Sequence, residues 1–162
     1  MKNITELIKE IDSKVQKYNI DNALDLLIPF DEYSGDDWQN YFDTTVTEFQ
    51  YLVLHEDLNF KLVLIHWDKG SSSKKHGHMK GGGLIKVLFG QISETRFHPD
   101  NLDLETGKYS YTTGDLSYIH DAIGLHIVEN TQQNHAISLH LYCHGKNSTF
   151  GLVDEAMLVK TQ

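Results

Sequence analysis

His76-Gly77-His78 is the feature that most limits what this chain can fold into. Side chains two residues apart in an extended segment point the same way, so both imidazoles can converge on one metal ion. The stretch that follows, Met79-Lys80-Gly81-Gly82-Gly83 and then Leu84-Ile85-Lys86-Val87-Leu88-Phe89-Gly90, reads as a glycine-rich turn and an apolar strand ended by glycine. This is how a small β-barrel builds a metal site. The pattern by itself leaves the metal and the reaction open.

The rest of the chain supplies the strands that such a barrel needs. Phe60-Lys61-Leu62-Val63-Leu64-Ile65-His66-Trp67 is the strongest strand, stopped by Asp68-Lys69-Gly70. Further short strands are predicted at 84–89, 91–97, 109–112, 117–119, 124–129 and 136–143. Turns are expected at Thr106-Gly107-Lys108 and Thr113-Gly114-Asp115. Such spacing suggests an antiparallel sandwich or barrel. The beginning differs. Ile4, Leu7, Ile8, Ile11 and Val15 fall at helical spacings with charged residues between them. Asp21 stands where a cap would open a second helical segment, Ala23-Leu24-Asp25-Leu26-Leu27, with Pro29 expected to close it. Acidic and polar residues from Asp31 to Asn40 suggest a loop or short turn. No linker or repeat divides the chain, so residues 1–162 are read as one domain: 1–43 mostly helical, 44–162 a β-barrel.

Composition excludes some partners. A formal net charge of −9 and a pI near 5.5 argue against nucleic acid and anionic membranes. No stretch reaches the roughly 18 apolar residues that span a bilayer. Met1-Lys2-Asn3-Ile4-Thr5-Glu6 is too polar for a secretory signal. The single cysteine, Cys143, rules out an internal disulfide and fits a reducing cytoplasm. The expectation is a cytoplasmic monomer with a small-molecule partner.

His126, in the apolar run Ile123-Gly124-Leu125-His126-Ile127-Val128, is the third candidate ligand. Three neutral histidines without a carboxylate leave open positions on a divalent ion for an anionic substrate atom and a small molecule such as O2. Zinc can take the same ligands, so the ligands alone do not choose iron. Ser138, His140 and Tyr142 alternate, which puts serine, imidazole and phenol on one strand face. Gly81-Gly82-Gly83 lacks the Lys-Ser/Thr ending of a phosphate loop and reads as a turn. Lys74-Lys75 reads as solvated charge, His120 and His135 as rim or surface, and Phe60 and Trp67 as core.

These motifs carry a resemblance. Gly70, five residues, His76-x-His78, four residues, Gly83, six residues and Gly90 resemble the first cupin motif, with Gly83 in place of its glutamate ligand. Tyr118 to His126, with Asn130 four residues on, resembles the second. Gly90-Gln91-Ile92-Ser93-Glu94-Thr95-Arg96-Phe97 and Ser138-Leu139-His140-Leu141-Tyr142 resemble the cysteine dioxygenase family. The resemblance covers roughly residues 49–143. It implies a mainly β fold, a small cupin jelly-roll barrel preceded by helices. It also implies Fe(II) held by His76, His78 and His126, and a Ser138–His140–Tyr142 relay that sets a tyrosine hydroxyl near substrate and O2. The implied reaction turns a small thiol, cysteine or a relative, into its sulfinate.

Two positions depart from the family pattern. Gly83 stands where animal members carry a cysteine crosslinked to the relay tyrosine. Tyr51 stands where an arginine grips the substrate carboxylate, and the chain's only arginine, Arg96, lies on another strand. The substrate is then a thiol without a carboxylate, or its carboxylate is held by Tyr51 with a lysine such as Lys80 or Lys146. The alternative reading is a non-catalytic metal- or ligand-binding cupin, for example a sensor. A zinc or manganese isomerase is disfavoured by Gly83 at the carboxylate-ligand position.

Overall fold

The computed structural model describes residues 1–42, 48–78, 80–145 and 158–160. Asn3 caps helix α1 (Ile4–Tyr18) by accepting the Glu6 N–H at 2.8 Å, and Asn19, at φ 54°, ends it. Ile4, Leu7, Ile11 and Val15 form its buried stripe. The next cap falls one residue beyond the expected Asp21. The Asn22 side chain accepts from Leu24 N–H and opens a 3-10 turn, Ala23–Leu26. Pro29 does not close this segment but sits inside α2 (Leu27–Asp31). It lies in the first turn, where a backbone N–H would have no helical acceptor anyway. A second 3-10 turn spans Asp37–Tyr41. The expected change from helix to strand falls at residues 43–47, outside the described residues.

Among the described residues ten strands follow: β1 (Gln50–Glu56), β2 (Phe60–Trp67), β3 (Ser71–Ser73), β4 (Gly83–Phe89), β5 (Gln91–His98), β6 (Asn101–Thr112), β7 (Leu116–Ile119), β8 (Leu125–Glu129), β9 (Ala136–Cys143) and β10 (Leu158–Lys160). They form two five-stranded sheets, β1-β2-β9-β4-β7 and β10-β3-β8-β5-β6, in the jelly-roll manner expected. β3 and β10 are too short to leave a sequence pattern. Thr106-Gly107-Lys108 is not a turn. It lies inside β6, where the pairing to β5 slips between Arg96↔Gly107 and Phe97↔Glu105. The hairpin closes instead around Pro99-Asp100, the stronger turn signal. The Thr113-Gly114 turn is present and is held by Asp115, whose carboxylate accepts from Thr112 N–H at 2.7 Å.

β2 and β9 are buried at every residue, which explains their nearly unbroken apolar texture. One face, with Phe60, Leu62, Leu64, Leu139, Leu141 and Cys143, packs under the α1 stripe. The other, with Val63, Ile65, Trp67 and Tyr142, faces the barrel interior. A buried lysine pins the helical segment to the barrel: Lys86 Nζ donates to the Tyr33 carbonyl at 3.0 Å, the Asp31 carboxylate at 3.0 Å and the Asp31 carbonyl.

Candidate metal centre

His76 and His126 are brought together by backbone pairing. His76 N–H donates to the His126 carbonyl at 3.0 Å and His126 N–H to the His76 carbonyl at 2.9 Å. The His76-x-His78 segment is therefore an extended piece with a single bridge rather than a regular strand. Asp121 accepts the His78 N–H at 2.6 Å. It also explains Gly77, because a Cβ there would lie 2.7 Å from the Asp121 carboxylate. His126 comes from β8. One ring nitrogen from each of His76, His78 and His126 lies within 4.8 Å of the others. All three residues are buried.

The hydrogen bonds fix which nitrogens are bare. His76 Nδ1 faces the Lys74 carbonyl at 2.7 Å, and His126 Nδ1 faces Glu94 Oε1 at 2.6 Å. Neither oxygen can donate, so both Nδ1 atoms carry a proton, and in the neutral rings that a metal requires both Nε2 atoms present lone pairs. Those two Nε2 atoms are 3.1 Å apart. Two lone pairs that close repel unless a cation lies between or beside them. Burial, and then the nearby His126, hold the His76 pKa down to about 4, so His76 Nε2 keeps its lone pair. His78, also held well below its ordinary range by burial, has neither ring nitrogen hydrogen-bonded among the described residues. Three imidazoles, two with anchored rings and one with both nitrogens unpaired among the described residues, fit a divalent transition metal.

Glu94, to which the sequence reading gave no role, orients His126. Its Oε1 accepts from His126, while Oε2 accepts from Tyr111 at 2.8 Å, Ser117 at 3.0 Å and Arg96 at 3.1 Å. Burial alone would raise this carboxyl, but the His126 and Arg96 contacts outweigh it and bring the pKa down to about 2. Arg96 is thus committed to Glu94 and to the Tyr118 carbonyl.

On β9, Ser138, His140 and Tyr142 do share one face and are hydrogen-bonded in sequence. Ser138 Oγ lies 2.6 Å from His140 Nε2, and His140 Nδ1 lies 2.9 Å from the Tyr142 hydroxyl. Trp67, expected only to fill the core, sets the direction of this chain. Its indole N–H can only donate, and it donates to Ser138 Oγ at 2.8 Å. The serine proton then goes to His140 Nε2, the imidazole proton on Nδ1 goes to the Tyr142 oxygen, and the Tyr142 proton is left to point onward. The opposite direction would leave the fully buried Ser138 proton with no acceptor among the described residues. Burial holds the His140 pKa near 3 and pushes the Tyr142 phenol well up, so both stay neutral.

The Tyr142 and His78 rings stack with centroids 5.6 Å apart. Gly83 lies against both, and a Cβ there would sit 2.9 Å from Tyr142 Cδ1 and 3.2 Å from His78 Cδ2. Tyr51 projects from β1 into the same interior cluster as Tyr142. Lys80 is exposed, and Lys146 is outside the described residues. His135 is exposed, stacked on His66 and Phe89.

The comparisons with known proteins agree with this architecture. Residues 1–148 match the family described as cysteine dioxygenase type I. The chain is 40% identical over 88 residues to cysteine dioxygenase type 1 of Rattus norvegicus, covering 51% of this chain and 44% of that protein. It is 29% identical over 152 residues to the Danio rerio protein of the same name, covering 86% and 73%. The chain thus spans less than half the length of the mammalian relatives it matches. Among solved structures, a cupin superfamily protein from Desulfitobacterium hafniense superposes with TM-score 0.52 at 13% identity, covering 64% of this chain and 84% of that one. A double-stranded β-helix protein from Klebsiella pneumoniae gives 0.54 at 17%, covering 69% and 90%. At these identities the likeness concerns the fold.

Proposed function

This chain belongs to the cysteine dioxygenase type I family, and on that premise we propose that it is a non-haem Fe(II) dioxygenase that oxidises a small thiol, cysteine or a related one, to its sulfinate. The overall change is R–S⁻ + O2 → R–SO2⁻. Sulfur gives up four electrons, both oxygen atoms end on it, and no external reductant is consumed. His76, His78 and His126 would hold the metal. Bound Fe(II) would supply the open positions at which thiolate and O2 meet and the electronic coupling between them.

The chain's own residues do the rest. Glu94 keeps the His126 proton on Nδ1 and so keeps Nε2 available. Trp67, Ser138 and His140 hold the Tyr142 oxygen as an acceptor on one side, leaving its proton directed away from the relay. A neutral phenol in that position steadies negative charge on substrate or on incoming oxygen without giving up its proton. Tyr51 lines the same interior and would contact substrate. Val63, Ile65, Ile85 and Val87, all buried beside the relay, keep water out.

The observation that carries the reading is the pair of bare Nε2 atoms 3.1 Å apart beside a relay polarised toward Tyr142. A barrel that only binds a metal, or serves as a sensor, has no use for that relay. Activity in a cytoplasmic monomer fits a triad drawn from one chain and a substrate that must stay reduced. Among the described residues, no helix is long and apolar enough to cross a membrane. The test is anaerobic Fe(II) loading followed by O2 uptake with cysteine, 3-mercaptopropionate and cysteamine. The expected result is sulfinate formed in step with O2 for at least one thiol. Uptake that persists in a metal-free His126→Ala variant would overturn it.

A further inference from the structure

The barrel interior holds a cation that neither the metal centre nor the relay uses. Along β2 the residues Lys61, Val63 and Ile65 stand opposite Tyr142, His140 and Ser138 of β9, so Lys61 shares the inward face of the relay. It is 4% exposed, in a strand whose other inward neighbours are apolar. Its ammonium lies 5.6 Å from the centroid of the Tyr51 ring. The one carboxylate it meets among the described residues is Glu56, with Nζ 3.5 Å from Oε2.

That pair is lopsided. The lysine side chain is 5% exposed and the Glu56 side chain 27%. A charge-assisted N–H···O contact normally closes to about 2.7–2.9 Å, so the observed separation is loose. A buried ammonium with a loosely held, partly wet partner is ready to exchange that partner for an anion that enters the interior. Tyr142 joins this cation to the metal centre: its ring stacks on His78, and its backbone lies opposite Lys61.

We propose that Lys61, with Tyr51 beside it, is the specificity-determining anion site of this barrel and takes the acidic end of the thiol substrate in place of Glu56. The proposal rests on the thiol dioxygenase reading and adds the residue that selects among thiols. An ammonium is a compact point charge with freely rotating donors, whereas a guanidinium is a planar fork. Lys61 therefore selects for negative charge rather than for one carboxylate geometry. The thiols favoured are short ones bearing a carboxylate, and a thiol bearing only an amine gains nothing from the site.

The test is an anaerobic titration of Co(II)-loaded protein with 3-mercaptopropionate and with cysteamine, read from the thiolate-to-metal absorption. It uses the wild-type chain, Lys61→Met, Lys61→Arg and Glu56→Gln. Removing one charged contact weakens 3-mercaptopropionate about 10- to 100-fold in Lys61→Met. Cysteamine binding and metal stoichiometry stay within about threefold, which shows that the apolar replacement has kept the fold. Lys61→Arg recovers most of the lost affinity, and Glu56→Gln tightens 3-mercaptopropionate by removing the competing carboxylate. Equal weakening of both thiols in Lys61→Met, or no weakening of either, overturns the assignment of Lys61. If loaded wild-type protein binds neither thiol, the dioxygenase reading itself falls, and this inference with it.

Discussion

Replacing Glu94 with glutamine changes one atom and forces a choice on the metal ligand behind it. In the native site Oε1 accepts one proton, from His126 at 2.6 Å, and Oε2 accepts three, from Tyr111, Ser117 and Arg96 at 2.8–3.1 Å. Glutamine has a single acceptor oxygen. Facing that oxygen toward the three donors keeps two more hydrogen bonds than facing it toward His126, and at about 1 kcal/mol each this decides the orientation. The amide NH2 then points at His126 Nδ1, which must become an acceptor. The imidazole proton moves to Nε2, and the lone pair meant for the metal is lost. Restoring it requires turning the amide back against three donors, so metal affinity falls by at least about 10- to 100-fold. Competition against a chromophoric chelator measures this directly. Tyr111→Phe removes only one of the three donors and is the control, expected to stay within about threefold. If Glu94→Gln binds metal as tightly as the native chain, the tautomer argument is refuted, and with it the role assigned to Glu94.

Other consequences follow from the same contacts. Tyr142→Phe leaves the three ligands untouched, so metal affinity is kept while turnover falls by about 100-fold, as steady-state kinetics on the loaded protein would show. Lys86→Met strips the donor from the Asp31 and Tyr33 carbonyls and lowers stability by about 1.5–3 kcal/mol, read as a shift in the urea midpoint. Little of that comes from the Asp31 carboxylate, whose side chain is 56% exposed. Burial raises the Cys143 thiol to about 12, so at pH 8 only about one molecule in ten thousand carries the reactive thiolate. Its modification by a disulfide reagent should be far slower in the folded chain than in urea and should rise steadily with pH. Equal rates in the two states would contradict its burial.

How much of this was legible in the sequence depended on how far apart the interacting residues lie. His76 and His78 announce themselves by spacing, and Ser138, His140 and Tyr142 by alternation, because both patterns are local. His126 was found through the motif around it. Glu94 sits in the stretch Gly90–Phe97, yet its meaning depends on β5 pairing with β8, which sets Glu94 against Val128 and Arg96 against His126. Nothing within a short window reveals that. A glutamate two residues after Ile92, on the same face of a mostly polar strand, is the available signal. Trp67 was read as core and is core, but its N–H direction could be known only from Ser138 lying within reach. Nothing local marks Lys61 as buried, since a lysine in a strand is normally solvated, and only the register of β2 against β9 turns it inward. The misplaced turn at 106–108 has the opposite cause: Gly107 is a local turn signal that long-range pairing with β5 overrides.

Where the two atoms of O2 end up separates a thiol dioxygenase from every other use of this site. Anaerobically Fe(II)-loaded chain is given its best thiol under ¹⁸O2, and the product is weighed by mass spectrometry. A sulfinate carrying two heavy oxygen atoms is the predicted result. A disulfide, or a sulfinate with oxygen drawn from water, would contradict the claim that this barrel is a thiol dioxygenase.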